Sequence, residues 1–374
     1  MRFAPPLQPA TRLRPDVDTG LLYLGLGGPD REEAVAPFLR NLFADPMVLP
    51  LPSWLSRPLG RIIVARRVDA VRERYRALGY GGGSPQLDWT TRQAEALVGH
   101  LAGLGITATA AVAMRYWHPF TDEAVDQLRA QGAEQLLVVP TYPQYSVATT
   151  GSSLRELDRV LAAQGWRPPR HVLREWPLLS GYVHLLARQA ADVLTGWFEA
   201  GHDPSTCALV YTAHSLPQRF QRGGDAYVPQ TRATVRAVHR RLDAAAPAGW
   251  PLADMRAGGG EPLLAFQSKV GPVRWIGPPT EETCVQLVRD GVRHLAVVPV
   301  SFNCEHIETI DELDDELAEA VEAAGVTTFA RTPALNLDDG WLRSLARRLA
   351  YRAYGIGGST EVSHGQGIEP PATR

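Results

Sequence analysis

The chain has 374 residues, with 38 basic against 40 acidic side chains and a formal charge of −2. At about 150 residues per domain this length argues for two domains, and 45% hydrophobic with 21% charged residues is the composition of a soluble enzyme with a large core. The balanced charge argues against an electrostatic nucleic-acid binder. Lys269 is the only lysine, which marks a compositional bias and makes arginine abundance weak evidence for anion binding. Cys207, Cys284 and Cys304 form no CxxC pair, which weighs against a disulfide framework or a cysteine-built cluster. MRFAPPLQPATRLRPD lacks the apolar centre of a signal peptide, and no apolar run approaches the ~18 residues that span a bilayer, so the expected compartment is the cytoplasm.

In chain order, apolar runs at residues 21–26, 106–114, 136–140, 208–212, 263–266 and 295–300 read as buried parallel strands, each followed by a loop and a helix-length segment. Strand, crossover, strand is the doubly wound α/β pattern. GAEQLLVVP ends at Pro140 and GVRHLAVVP at Pro299, while LLYLGLGGP and ALVYTAHSLP form a second matching pair upstream. This repeat predicts two similar Rossmann-like lobes with a cleft between them, at 17–178 and 179–335. A last helix at 336–356 is expected to pack back on the first lobe, and a Gly, Ser and Pro-rich tail at 357–374 is expected to be disordered.

Open α/β sheets bind ligands at the carboxyl ends of their strands. That rule selects the loops at 27–30, 115–120, 142–153, 214–219, 267–275 and 302–308. His214, in YTAHSLP, directly follows a strand and can serve there as a general base or as a packed histidine. In FNCEHIETIDELDD, Glu308, Glu312 and Glu316 are spaced i, i+4, i+8 along one side of a helix, with Ile310, Leu313 and Leu317 on its apolar side. Such a stripe is either a solvated face or a relay for protons and hydrated divalent cations, with Glu308 innermost. One imidazole and one carboxylate make a weak metal site, and weak holding is what a metal-transferring enzyme needs.

Arg66, Arg67, Tyr75, Ser84 and Arg115 can hold carboxylates, while Tyr116, Trp117, Tyr142, Tyr145 and Trp275 can line a flat apolar slot. GYGGGSP lacks the Lys-Ser/Thr of a phosphate loop and reads as a turn carrying Ser84. LPLPSWLSRPLGRIIVARR, from Leu49 to Arg67, is either a segment packed on the core or an exposed apolar lip that touches a membrane or admits a greasy substrate.

With LGGPD, GGGSP, MRYWHP, YPQYSVATTGSS, YTAHSLP, FQSKVGPVRW and HIET in this order, the chain from about Leu21 to Tyr354 resembles the ferrochelatases, which insert Fe(II) into a porphyrin to make haem. The resemblance implies two chelatase-type lobes with the porphyrin in the cleft. It puts the catalytic pair on His214 and Glu308 and the metal path on His214, Glu308, Glu312 and Glu316. Propionate contacts fall on Arg67, Tyr75 and Ser84, and pocket positions on Leu26, Arg115, Tyr142 and Trp275. Leu26 stands where coproporphyrin-using members carry Tyr, which points to protoporphyrin IX. Val147 stands where cluster-bearing members carry a cysteine, so no [2Fe–2S] group is expected and no cofactor is bound permanently, Fe(II) being a substrate. Peripheral membrane contact through the lip is a further implication. Activity limited by His214 protonation should fall on acidification. Competing expectations are a cobalt or nickel chelatase for another tetrapyrrole, a haem carrier and a two-lobed solute-binding protein.

Overall fold

The computed structural model describes residues 12–45, 48, 53–245, 252–256, 261–269 and 273–357, leaving out the side chains of 53–59. The start of the expected lip and nearly all of the expected disordered tail therefore lie outside the described residues. Two parallel four-stranded sheets flanked by helices form an α/β protein. The first contains β1 (Thr19–Gly25), β2 (Ala108–Met114), β3 (Gln135–Pro140) and β4 (Arg170–Val172) in the order β2-β1-β3-β4. The second contains β5 (Cys207–His214), β6 (Leu264–Gln267), β7 (His294–Pro299) and β8 (Thr328–Arg331) in the order β6-β5-β7-β8. The two orders are the same, and the repeated sequences GAEQLLVVP and GVRHLAVVP form the corresponding strands β3 and β7.

The six apolar runs coincide with β1, β2, β3, β5, β6 and β7 to within a few residues. Sequence reading missed β4 and β8. Both are edge strands with a single neighbour, only three and four residues long and mostly half-buried, and each has an arginine at one end. An edge strand has no second neighbouring strand and needs no continuous apolar run, so its sequence signal is weak.

One apolar cluster joins the lobes. Tyr23, Leu137 and Trp176 belong to the same buried set as Tyr211, Val298 and Trp341. Each such side chain removed from water contributes about 1.5–3 kcal/mol. Buried amides add direction to this contact. Gln93 Nε2, from the helix Gln86–Ala102, donates to the carbonyls of Asn303 at 2.8 Å and Asn336 at 2.9 Å, and Asn303 Nδ2 donates back to Gln93 Oε1 at 2.8 Å. Gln144 Nε2 donates to the Val300 carbonyl at 3.1 Å, and Tyr182 Oη donates to the same oxygen. The loops after β3 and β7 are thereby pinned to each other.

The helix Asp339–Leu349 starts where the Asp338 side chain accepts from the amides of Gly340 at 3.0 Å and Trp341 at 3.3 Å. It packs on the first-lobe helix Gln86–Ala102 and on the helix Ser180–Glu199. Trp341 is fully buried and stacks on Trp176 with centroids 5.6 Å apart. Gly181 permits the close approach: a Cβ there would lie 2.5 Å from Ser344 Cβ, 2.8 Å from the Gly340 carbonyl and 2.9 Å from Trp341 Cα. Backbone atoms cannot yield as a flexible side-chain tip can. Gly181→Ala should therefore cost about 2 kcal/mol of stability, read as a lower thermal midpoint with the sheet content unchanged by circular dichroism.

Candidate active site

His214 is the last residue of β5, and three bonds fix its backbone and ring. Its amide donates to Ser301 Oγ at 2.9 Å, and its carbonyl accepts from Tyr227 Oη at 2.8 Å. Nδ1 lies 2.6 Å from the Ser215 carbonyl. A carbonyl only accepts, so Nδ1 bears a hydrogen and Nε2 is the ring nitrogen left to exchange a proton. Beside it, the segment after β6 returns as a short bridge. Ile276 donates its amide to the Leu216 carbonyl at 2.9 Å, and Pro217 bridges to Trp275. Trp275 thus adjoins the His214 loop, and its indole N–H is buried with no acceptor among the described residues.

Glu308 comes from the loop after β7, in a single helical turn, Ile307–Thr309. His306 precedes that turn, buried, with Nδ1 2.6 Å from Glu308 Oε2. Burial disfavours charge on Glu308, but the facing His306 imidazole, with His214 nearby, holds its carboxyl down at about 2. Burial likewise opposes protonation of His306, and the Glu308 carboxylate overcomes this and raises its pKa above the ordinary 6.5. The pair is a buried imidazolium facing a carboxylate. Glu305 anchors the same loop: it accepts from Thr309 Oγ1 at 2.6 Å, from the Ala334 amide at 2.8 Å and from Arg331 at 2.9 Å.

Glu312 is held by the end of β6, accepting from Ser268 Oγ at 2.5 Å and Gln267 Nε2 at 3.2 Å. Burial, then the charge on Glu308, push its pKa up, and half-exposed Glu316 is also raised, first by burial. The helix itself differs from expectation. Residues Ile310–Leu317 form a wide π turn, with i→i+5 bonding, before regular helix resumes at Ala318–Ala324. Its apolar residues divide accordingly. Leu313 and Leu317 pack into the second lobe with Val210 and Ala265, whereas Ile310 and Ile307 reach the first-lobe cluster that contains Tyr75, Tyr116 and Leu26. The expectation of one apolar side holding Ile310, Leu313 and Leu317 is therefore corrected: the wider turn sends Ile310 across the cleft.

In the first lobe, Tyr75 is buried near the end of the helix Ser53–Ala77, close enough to Glu308 that, after burial, this charge further raises its phenol pKa. It stays a neutral O–H donor. Ser84 meets it at Gly28, where a Cβ would stand 2.9 Å from Ser84 Oγ and 3.8 Å from Tyr75 Oη. Leu26 is half-buried in the cluster with Tyr75, Ile307 and Ile310. Arg67 lies apart, exposed on the helix Ser53–Ala77 two turns before Tyr75. Arg115 is committed locally: its guanidinium donates to Asp45 Oδ2 and to Ser152 Oγ, both at 2.9 Å, and packs over Tyr116 at 5.0 Å. Tyr142 lies close to Arg115 and Ser153, its phenol also raised by burial. The structure thus gathers Leu26, Tyr75, Ser84, His214, Glu308 and Glu312 around the lobe junction, with Trp275 at its side and Arg67 outside. His306 and Gln93 were missed, although HIET contains the first.

Among the described residues, no three His, Cys, Asp or Glu side chains are grouped as a cage for a metal ion. A family model for ferrochelatase matches residues 18–352. The chain is 40% identical over 332 residues to the ferrochelatase of Synechococcus sp. (strain RCC307), covering 87% of this chain and 80% of that one. It is 39% identical over 337 residues to the ferrochelatase of Gloeobacter violaceus, covering 88% and 96%.

The chain belongs to the ferrochelatase family.

As a ferrochelatase it is a lyase of haem biosynthesis that takes a porphyrin and a metal ion as substrates. No helix among the described residues is long and apolar enough to cross a membrane. The three cysteines are scattered and buried, in β5, in the helix Thr280–Arg289 and in the loop after β7.

The His306–Glu308 pair sets a pH window for ferrochelatase stability. The lowered Glu308 pKa contributes stability that is complete above its ordinary 4.5 and lost as pH falls toward 2. The raised His306 pKa contributes stability that is complete below 6.5 and lost as pH rises through its folded value. His306→Ala, which leaves a buried carboxylate alone, should cost about 3 kcal/mol. Urea denaturation from pH 3 to pH 9 should give the largest gap between wild type and variant between 4.5 and 6.5, shrinking on both sides. A gap independent of pH would deny the ion pair.

Proposed function

We propose that this ferrochelatase inserts Fe(II) into protoporphyrin IX, with His214 taking a pyrrole proton and Glu308 receiving the metal. The observation that carries the reading is the juxtaposition at the lobe junction of an imidazole whose Nδ1 is fixed on a carbonyl and a half-buried carboxylate held in its ionised form. A free-base porphyrin is flat, and its two N–H protons occupy the metal's place. The rim is gripped through its propionates by Tyr75 and Ser84, neighbours at Gly28, while exposed Arg67, outside that pair, would have to swing in from the helix surface to join them. Leu26, Tyr142 and Trp275 supply the apolar walls, and Arg115, neutralised by Asp45, holds the floor beside Tyr142. Grip on the rim sustains a bent ring whose nitrogen lone pairs point out of plane.

The balance of atoms then requires two protons to leave as one divalent ion enters. His214 Nε2 accepts one proton. Glu312, whose carboxyl burial and the Glu308 charge push up, receives the other proton and passes it outward to Glu316 and solvent. The same carboxylates admit the metal in the opposite direction, with Glu308 as its last protein contact. Leu26, apolar where a hydroxyl-bearing residue marks coproporphyrin users, supports protoporphyrin IX. Cytoplasmic location, peripheral membrane contact through the segment ending at Arg67, and the lack of an iron–sulfur group at Val147 belong to the same reading.

Anaerobic incubation with Fe(II) and either protoporphyrin IX or coproporphyrin III, followed by absorbance, tests the substrate: turnover should favour protoporphyrin IX. His214→Ala should lose roughly 10²-fold or more in kcat while still shifting the porphyrin spectrum on binding. Near-normal turnover in that variant removes His214 from the chemistry. Glu308→Gln should be similarly impaired, and a change confined to porphyrin affinity would reassign it.

A further inference from the structure

Arg74 belongs to none of the sequence motifs. It precedes Tyr75 on the helix Ser53–Ala77 of the first lobe, and its guanidinium crosses to the acidic turn of the second. Nε donates to Oδ2 of buried Asp311 at 2.5 Å, and one terminal nitrogen also meets Asp311. That nitrogen lies 3.4 Å from Glu316 Oε1 and 3.9 Å from Glu312 Oε1. Arg331, the other arginine ion-paired to the turn among the described residues, is spent on Asp314 and Glu305. A first-lobe cation therefore stands against the outer part of the carboxylate path.

We propose that Arg74 is a positioning residue that sets how loosely this path holds the divalent metal. The inference rests on reading Glu308, Glu312 and Glu316 as the metal's route. A guanidinium and a divalent cation repel one another and compete for the same oxygens, so a neighbouring positive charge weakens metal binding. Asp311 is the anchor. It parks Arg74 at the side of the path, near enough to lower metal affinity and too firmly held to settle on Glu312. Loose holding suits a site that must surrender its ion to four ring nitrogens.

Calorimetric titration of the whole protein with Co(II) alone, without porphyrin, reads the affinity directly. Arg74→Gln should tighten Co(II) binding roughly tenfold, and Arg74→Lys, which keeps the charge, should restore the wild-type value. Asp311→Asn should weaken binding, because it frees Arg74 to turn toward Glu312 and Glu316, and this variant remains a test if Arg74→Gln fails to fold. In the insertion assay, Arg74→Gln should lower KM for Fe(II) and lower kcat, leaving KM for porphyrin unchanged. Unchanged or weaker Co(II) binding in Arg74→Gln, or unchanged or tighter binding in Asp311→Asn, overturns the role of Arg74. Glu312→Gln and Glu316→Gln separate the two readings. If they bind Co(II) as wild type does, the metal path itself fails. If they weaken binding while Arg74→Gln leaves it unchanged, only the inference about Arg74 fails.

Discussion

The site depends on keeping one half-buried carboxylate charged. Glu308 lies in a wall built from two lobes, where burial pushes its carboxyl up as it does that of Glu312 beside it, and a protonated carboxyl does not attract a divalent metal. His306 supplies the counter-charge at 2.6 Å and is itself buried, so the pair is shielded from screening. Glu308 therefore stays low while Glu312, with Arg74 no nearer than 3.9 Å and next to that charge, goes up. Two carboxylates one turn apart are thereby shifted in opposite directions, which in the proposed reading suits one to attract cations and the other to take protons. Environment, more than residue type, makes the division.

Such a pair is useful only if the two sheets keep their spacing. Here the buried polar contacts matter more than the apolar ones, because apolar contact alone tolerates sliding. Gln93 and Asn303 exchange hydrogen bonds between the lobes, and Gln144 and Tyr182 both terminate on the Val300 carbonyl. These bonds grip the residues on either side of Ser301, whose hydroxyl in turn accepts the His214 amide. His214 and Glu308 are thus set on one continuous framework. A truncated amide at Gln93 would leave the Asn336 carbonyl and the Asn303 side-chain amide without their bonds to it, at about 1–3 kcal/mol each.

Much of this was readable from the sequence. Apolar runs with both faces buried located six of the eight strands, and the rule of strand carboxyl ends led to the loops carrying His214, Glu308, Tyr142 and Trp275. What escaped depends on space, not on pattern. His306 sits inside HIET, but nothing in spacing says that its ring turns back on Glu308. Gln93 lies in the middle of an ordinary amphipathic helix and becomes informative only when Asn303 is seen opposite. The π turn at Ile310–Leu317 was also invisible, since i, i+4, i+8 carboxylates suit a regular helix equally well, and only the packing of Ile310 across the cleft distinguishes the two.

The repeat explains why the two lobes contribute unlike things. Leu24 pairs with Pro140 in the first sheet as Thr212 pairs with Pro299 in the second, and the next residues, Thr141 and Val300, donate to Leu24 and Thr212 at the same 2.8 Å. Two residues beyond these pairs come Leu26 and His214 on one strand, Tyr142 and Ser301 on the other. Leu26 and His214 thus hold equivalent positions in their lobes, as do Tyr142 and Ser301. One lobe places an aliphatic and an aromatic side chain there, the other an imidazole and the hydroxyl that orients its backbone. Wide turns follow the third strand in both lobes, at Val147–Gly151 and at Ile310–Leu317, but only the second is lined with carboxylates. A flat apolar substrate needs walls on one side and exchangeable protons on the other. In the proposed reading the same fold used twice provides both, with the difference lying in the residues at the strand ends.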